Sequence, residues 1–144
     1  MFQKIVVAYN ESLESKRALV SAIQLARSLN AELHAVTVMT DPPAYTVFAG
    51  AVDASISQVL KDDRALFYEQ LQERTRAFGV SHDIELHCHL VDGNPVEAMV
   101  DFLRGHKADL LVLGLHQHDL HIARLWSTVY ELAQDAPCSV LGVH

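Results

Sequence analysis

The sequence has few cysteines, few basic residues and no long apolar stretch. Its 11 Lys and Arg face 18 Asp and Glu, for a formal net charge of -7, whereas nucleic-acid binding depends on clustered cations. No apolar run approaches the roughly 20 residues that a membrane-spanning helix needs. The amino terminus, MFQKIVVAY, has neither a separate signal-peptide core nor a cleavage site. These absences predict a cytoplasmic protein that binds neither nucleic acid nor membrane.

Half of the 144 residues are hydrophobic, and no linker, repeat or low-complexity tract interrupts them. A chain of this size can bury a substantial core without metals or disulfides. We therefore expect residues 1–144 to form one domain.

Short aliphatic runs alternate with amphipathic segments along the whole chain. Ile5–Val7 and Leu110–Leu113 are unbroken aliphatic runs, as in strands that are buried on both faces of a parallel sheet. The predicted strands are Gln3–Tyr9, Leu33–Met39, Ile84–Leu90, Leu110–Leu113 and Cys138–His144. The predicted helices run from Asn10 or Ser12 to about Asn30, from Ile56 to a stop at Gly79, from Asn94 to Gly105, and from Ile122 to Ala133. This order predicts an α/β fold with a parallel sheet and helices on both faces.

The third and fifth strands are expected at the two edges of this sheet. His87 and His89 alternate with apolar residues, so they share one strand face, which we expect to be solvated. Cys88 and Cys138 would lie on opposite edges, on the order of 19 Å apart across four strand spacings. Both are therefore predicted to be free thiols that pack as small hydrophobic residues.

A ligand crevice is expected after the fourth strand, where Gly114 is followed by the loop Leu115–Leu120. In doubly wound sheets, small molecules bind beyond the carboxyl ends of the strands, where the strand order reverses. The loop residues His116, His118 and His121, with Asp119, could also bind zinc, nickel or copper. No cysteine lies near them, so we interpret them as a polar rim, and no metal site is predicted.

Four motifs together carry a family resemblance: KIVVAYNES at the start, VDGNP before a helix, ADLLVLG, and APCSVLGV at the end. In this order and at these separations they resemble the universal stress protein family over essentially the whole chain. The resemblance implies a stress-response protein with a flavodoxin-like (Rossmann-like) five-stranded sheet of order 3-2-1-4-5. It also implies a homodimer in which the last strands of two subunits pair. The apolar strand around Leu141 would otherwise be an exposed edge.

Members of this family that bind ATP or AMP typically carry three spaced glycines after the fourth strand, the last followed by Ser or Thr. Here Gly114 matches the first, Gln117 and Ser127 replace the other two, and Thr128 keeps the hydroxyl. Such glycines let backbone N–H groups approach phosphate oxygens, and a side chain there costs about 1 kcal/mol or fills the phosphate's place. The degenerate motif therefore predicts that ATP is not bound tightly.

The turn after the first strand departs from the nucleotide-binding pattern too. Asn10 stands where such relatives have Asp, and it could accept one hydrogen bond from a ribose or an adenine. Glu11 stands where glycine is frequent, and its charge would oppose an anionic ligand. Arg124, in the loop region, could meet a phosphate, but it and Trp126 are interpreted as surface and packing residues.

The predicted function is that of a non-enzymatic stress-response homodimer that acts through an unknown protein partner. No paired carboxylates or Ser, His and Asp set converge by motif, so no catalytic residue is predicted. No cofactor is expected, and the crevice is either empty or binds something smaller than ATP. The alternative is a switch in which ATP or AMP holds the Leu115–Leu125 loop in one conformation. Candidate crevice residues under either interpretation are Ala8, Asn10, Val38, Leu113, Gly114, His116, Gln117, Ser127, Thr128 and Val129.

Overall fold

The computed structural model describes residues 1–39, 54–115 and 128–144. In these ranges five strands alternate with four helices: β1 Lys4–Ala8, α1 Leu13–Leu29, β2 Glu32–Met39, α2 Ala54–Ser81, β3 Leu86–Asp92, α3 Pro95–Gly105, β4 Leu110–Gly114, α4 Thr128–Asp135 and β5 Ser139–Val143. All described strand pairs are parallel, and the order is β3-β2-β1-β4-β5. The predicted α/β fold and strand order are confirmed. No helix in the described ranges is long and apolar enough to cross a membrane.

The core lies on both faces of the three central strands. Alternate residues of β1 point to opposite faces, so Ile5 and Val7 pack with α1 and α2, while Val6 packs with α3 and α4. All three side chains are fully buried. The unbroken aliphatic run is thus explained by two covered faces.

Helix α1 begins at Ser12, one of the two predicted caps. The Ser12 hydroxyl accepts a hydrogen bond from Ser15 N at 3.2 Å, which satisfies one of the N–H groups that a helix start leaves unpaired. The other candidate, Asn10, instead accepts a hydrogen bond from Ser12 N at 3.1 Å. The two residues therefore act in sequence, one shaping the turn and the other capping the helix.

The predicted stop at Gly79 is wrong, because α2 continues through it to Ser81. A Cβ on Gly79 would lie 2.7 Å from the Leu86 Cβ, so the glycine lets the helix pass close to the start of β3. The left-handed residue after the helix is Asp83, with φ of 53°. The last helix is described from Thr128 onward, and the predicted part from 122 to 127 lies outside the described residues.

The expectation of a solvated face on β3 is also wrong. His89 lies under α3, with its ring centroid 4.8 Å from that of Phe102, and it is only partly exposed. Helix α3 covers this edge because its apolar face includes Phe102 as well as Met99 and Leu103. Cys88 lies on β3 and Cys138 directly precedes β5, on opposite edges of the sheet. Both are free thiols, as predicted.

Candidate functional site

A crevice opens at the carboxyl ends of β1 and β4, where the chain's strand order reverses. This is the position that doubly wound sheets use for ligands. The cavity has a volume of about 320 Å³, near the lower end of the roughly 300–1,000 Å³ typical of small-molecule sites. Its described lining consists of Ala8, Tyr9, Asn10, Ser12, Glu14, Ser15, Val36, Val38, Pro95, Met99, Leu113, Gly114, Thr128, Val129 and Leu132.

Seven of the ten candidate crevice residues line this cavity together: Ala8, Asn10, Val38, Leu113, Gly114, Thr128 and Val129. The other three, His116, Gln117 and Ser127, lie outside the described residues, as do the remaining loop histidines and Arg124. The structure therefore brings together the strand ends and the first residues of α4. Their role in binding stays a prediction.

Several lining residues were not predicted from the sequence. Val36 follows from the parallel register, since it pairs with Ala8 at the end of β1. Ser12 and Ser15 enter because the first turn of α1 borders the crevice, and Pro95 and Met99 because the first turns of α3 do. The signal for the last two was available: the VDGNP turn follows β3 at the same end of the sheet.

The turn after β1 is held by a network of short hydrogen bonds. Ser15 Oγ donates to Ser12 O at 3.0 Å and accepts from Asn10 N at 3.3 Å. The Asn10 side-chain oxygen accepts from Ser12 N. The oxygen that was expected to serve a ligand is thus already engaged, and the Asn10 amide NH₂ is the group of this side chain that can donate to one.

Glu11 does not act as the unpaired negative charge that the sequence indicated. Arg74 of α2 donates through its Nε and Nη2 to the two carboxylate oxygens of Glu11, at 2.8 and 3.0 Å. This hydrogen bonding is the largest cause that lowers the pKa of Glu11. Glu11 has φ of 63°, which explains why a glycine would suit this position. The ion pair offsets the carboxylate's repulsion of an anion.

Gly114, the glycine that matches the family's motif, lies directly against the first turn of α1. A Cβ on it would overlap the carbonyl group of Glu14. The residue must therefore be glycine for helix packing, whether or not a phosphate binds nearby. Gly114 alone is thus weak evidence for a nucleotide.

The charge of the crevice is acidic in its described part. The lining there includes the carboxyl group of Glu14 and no Lys or Arg. Within the described ranges, no group of three His, Cys, Asp or Glu side chains is placed to hold a metal ion. The polar groups that face the cavity are otherwise amides and hydroxyls, from Asn10, Ser12, Ser15 and Thr128, which orient neutral groups well.

Known proteins share both the sequence pattern and this fold. The sequence profile of the Universal stress protein family matches residues 1–144. Universal stress protein MJ0531 of Methanocaldococcus jannaschii is 28% identical over 144 residues, which cover 99% of this chain and 82% of the relative. The structure of universal stress protein UspA from Lactobacillus plantarum superimposes with a TM-score of 0.78 at 25% identity, over 99% of this chain and 98% of that one. A universal stress protein solved in complex with cAMP gives a TM-score of 0.75 at 27% identity, over 99% and 97% of the two chains. The chain therefore belongs to the universal stress protein family.

Proposed function

We propose that this universal stress protein is a non-enzymatic, cytoplasmic homodimer, built from one domain, whose crevice binds a nucleoside monophosphate such as AMP and does not bind ATP tightly. The observation that carries the proposal is the described lining of the crevice. It combines apolar walls with amide and hydroxyl groups, and it contains no basic side chain. Such a lining suits a neutral base and sugar better than a polyphosphate.

The apolar walls support binding of the nucleoside part. Val36 and Val38 lie on β2, Met99 on α3 and Val129 on α4, so they approach the crevice from three elements. A flat base can bury its faces between such side chains, and burial of apolar area contributes roughly 25 cal/mol per Å². The Asn10 amide and the Thr128 hydroxyl then supply the few hydrogen bonds that set the orientation of a ligand.

The polyphosphate end is where ATP would meet resistance. Gln117 and Ser127 replace two of the three glycines typical of ATP-binding relatives, and Glu14 places a carboxyl group in the lining. The Glu11–Arg74 pair leaves little attraction for an anion, since each charge already has its partner. A monophosphate needs fewer backbone N–H contacts than a triphosphate and would lose less.

The comparison with the cAMP complex supports the same ligand class. That protein, at 27% identity over nearly the full length of both chains, was solved with a nucleotide that carries a single phosphate. The likeness favours nucleotide binding here, and the altered glycines of this chain favour the smaller nucleotides.

The dimer is proposed to form through β5. This strand is at the sheet edge, where β4 is its hydrogen-bonded neighbour, and Leu141 is 39% exposed. An apolar edge strand with free N–H and C=O groups is normally covered or paired. A second copy of the same strand satisfies both requirements, and the unknown protein partner would then meet a dimer.

A second candidate function is the ATP-gated switch, favoured by Thr128, which keeps the hydroxyl of the nucleotide motif and lines the crevice. Thermal shift with AMP and with Mg²⁺-ATP separates the two. A ligand at 100 times its dissociation constant stabilises the folded state by about 2.7 kcal/mol. We expect stabilisation by AMP and little by ATP; the reverse order would support the switch.

A variant that fills the crevice tests the location of binding. Val129 is half-buried and lines the cavity, so Val129→Trp should abolish the AMP shift. Val59→Trp is the matched control, because Val59 is an exposed valine on α2, outside the crevice lining. An AMP shift that survives Val129→Trp would place the ligand elsewhere.

A further inference from the structure

Two histidines on neighbouring strands form a hydrogen-bonded pair that the crevice does not use. Nδ1 of His34, on β2, lies 2.9 Å from Nε2 of His89, on β3. His34 is 7% exposed. A neutral imidazole has one N–H donor and one acceptor nitrogen, so this bond requires that one ring donates and the other accepts.

Charged and titratable groups surround the pair from four elements. On β2, Glu32 Oε2 lies 3.4 Å from His34 Nε2, and Lys4 of β1 lies 3.6 Å from the same carboxylate oxygen. On β3, the His87 ring stacks on His34 with centroids 4.8 Å apart. From α3, His106 approaches His89 with centroids 5.4 Å apart. Of these neighbours Glu32 alone can offset a positive charge, and it contacts His34.

The geometry accommodates one added proton. With a proton on His34, Nε2–H donates to Glu32 and Nδ1–H donates to His89 Nε2, which accepts as the neutral ring. A second proton, on His89, would place two N–H groups face to face at 2.9 Å with no acceptor between them. The hydrogen bond must then break, and two like charges repel within a half-buried layer.

The ring environment of His89 agrees with this order of protonation. Burial, followed by the charges of His34, His106 and His87, lowers the pKa of His89 to about 4. Burial also lowers the pKa of His34, but the hydrogen bond to Glu32 opposes that effect. His34 therefore takes the first proton, and His89 resists the second.

We propose that the His34–His89 pair is an acid-sensitive latch that holds the carboxyl-terminal half of α3 on the β2–β3 edge of the sheet. His89 packs against Phe102, with ring centroids 4.8 Å apart, and Phe102 in turn stacks on His106 at 3.8 Å. Charging His89 displaces it from this aromatic layer and so releases the end of α3. The latch does not depend on what the crevice binds.

The sign of the effect follows from linkage. The unfolded chain takes up a proton on His89 as the pH falls through about 6.5, the ordinary histidine value, whereas the folded chain does so only near pH 4. The contribution of His89 to stability is thus fully present above about pH 6.5 and is lost as the pH falls toward about 4. In that window the unfolding equilibrium constant rises by up to about tenfold per pH unit from this one group.

Urea unfolding of the full chain between about pH 7.5 and pH 4 tests the latch, because the slope against pH counts protons. His89→Gln keeps a side chain that can hydrogen-bond to His34 but cannot be protonated. We expect its unfolding constant to rise less steeply than that of the wild type, by about tenfold per pH unit. His82→Gln is the control, since His82 lies after α2 and contacts Phe78, outside the cluster; it should match the wild type.

Equal slopes in the wild type and His89→Gln would overturn the proposal. If His89→Gln fails to fold, ring NMR titration of the wild-type protein decides instead: a His89 midpoint near 4, below that of His34, supports the latch, and a midpoint near the ordinary 6.5 contradicts it. Hydrogen exchange locates the opening. Amides of α3 around Phe102 should lose protection in this pH window before those of β1 do, and simultaneous loss would contradict a local latch.

Discussion

Glu11 and Arg74 form a two-pronged ion pair, with N–O distances of 2.8 and 3.0 Å, that joins the turn after β1 to the long helix α2. The turn bears Asn10 and Ser12, which line the crevice. The pair thus neutralises a carboxylate beside the ligand site and links that site to the opposite face of the sheet.

Removing Arg74 should unmask this carboxylate. In Arg74→Met the pKa of Glu11 should rise toward its ordinary value, since the hydrogen bond to Arg74 is the main cause of its depression. NMR titration of the Glu11 carboxyl carbon measures this directly. Stability that the pair provides is present above the ordinary pKa of Glu11 and is lost as the pH falls through the lower, folded value, so the variant should lose less on acidification.

Arg76→Met is the matched control for this change, because Arg76 lies on the same helix and has no ion pair among those found in the described residues. It should leave the Glu11 titration unchanged. An equal shift in both variants would mean that the helix's overall charge, and not the pair, sets the pKa.

Gly114→Ala should destabilise the protein. The added Cβ would overlap the backbone of Glu14, and overpacking of this kind typically costs about 1–3 kcal/mol. Gly105→Ala is the control: nothing lies within 4 Å of its added Cβ, and alanine favours the helix by up to about 1 kcal/mol. Urea midpoints measure both, and a neutral Gly114→Ala would show that α1 can shift at this point.

Leu141→Lys should convert the proposed dimer into a monomer. A buried lysine in a strand pair must lose its solvation without a partner, whereas on an exposed edge it blocks pairing. Val20→Lys provides the control, because Val20 on α1 is 38% exposed, close to the 39% of Leu141. Light scattering coupled to size-exclusion chromatography reads the mass. A dimer that persists in Leu141→Lys would exclude the β5 interface.

Restoring the two missing glycines should create ATP affinity. The double variant Gln117→Gly and Ser127→Gly removes the side chains that stand at the family's phosphate positions, and relief of about 1 kcal/mol at each corresponds to roughly a 30-fold gain. Titration calorimetry with Mg²⁺-ATP measures it. AMP affinity should change much less, and an equal gain for both ligands would contradict the steric explanation.

Much of the fold could be predicted from the sequence because each strand is a short aliphatic run and each helix has its own cap. Gly79 was misjudged because a glycine that ends a helix and one that allows close packing look alike in sequence; only Leu86, seven residues later, distinguishes them. His89 was expected in solvent because the helix that covers it, α3, is defined by a separate pattern. Long-range packing, not local preference, decides such positions.

The candidate site was predicted better at its strand ends than at its charges. Ala8, Val38 and Leu113 follow from the rule that ligands bind beyond the carboxyl ends of parallel strands. The neutralisation of Glu11 could not be predicted, because its partner, Arg74, lies 63 residues away on another helix. The role of Gly114 in helix packing likewise depends on a contact across the fold.

Titration calorimetry of the wild-type protein with AMP and with Mg²⁺-ATP tests the central claim most directly. The proposal predicts that AMP binds at least about tenfold more tightly than ATP, a difference of roughly 1.4 kcal/mol, and that Val129→Trp removes its binding. ATP that binds more tightly than AMP, with loss of that binding in Val129→Trp, would contradict the claim and identify the crevice as a triphosphate site.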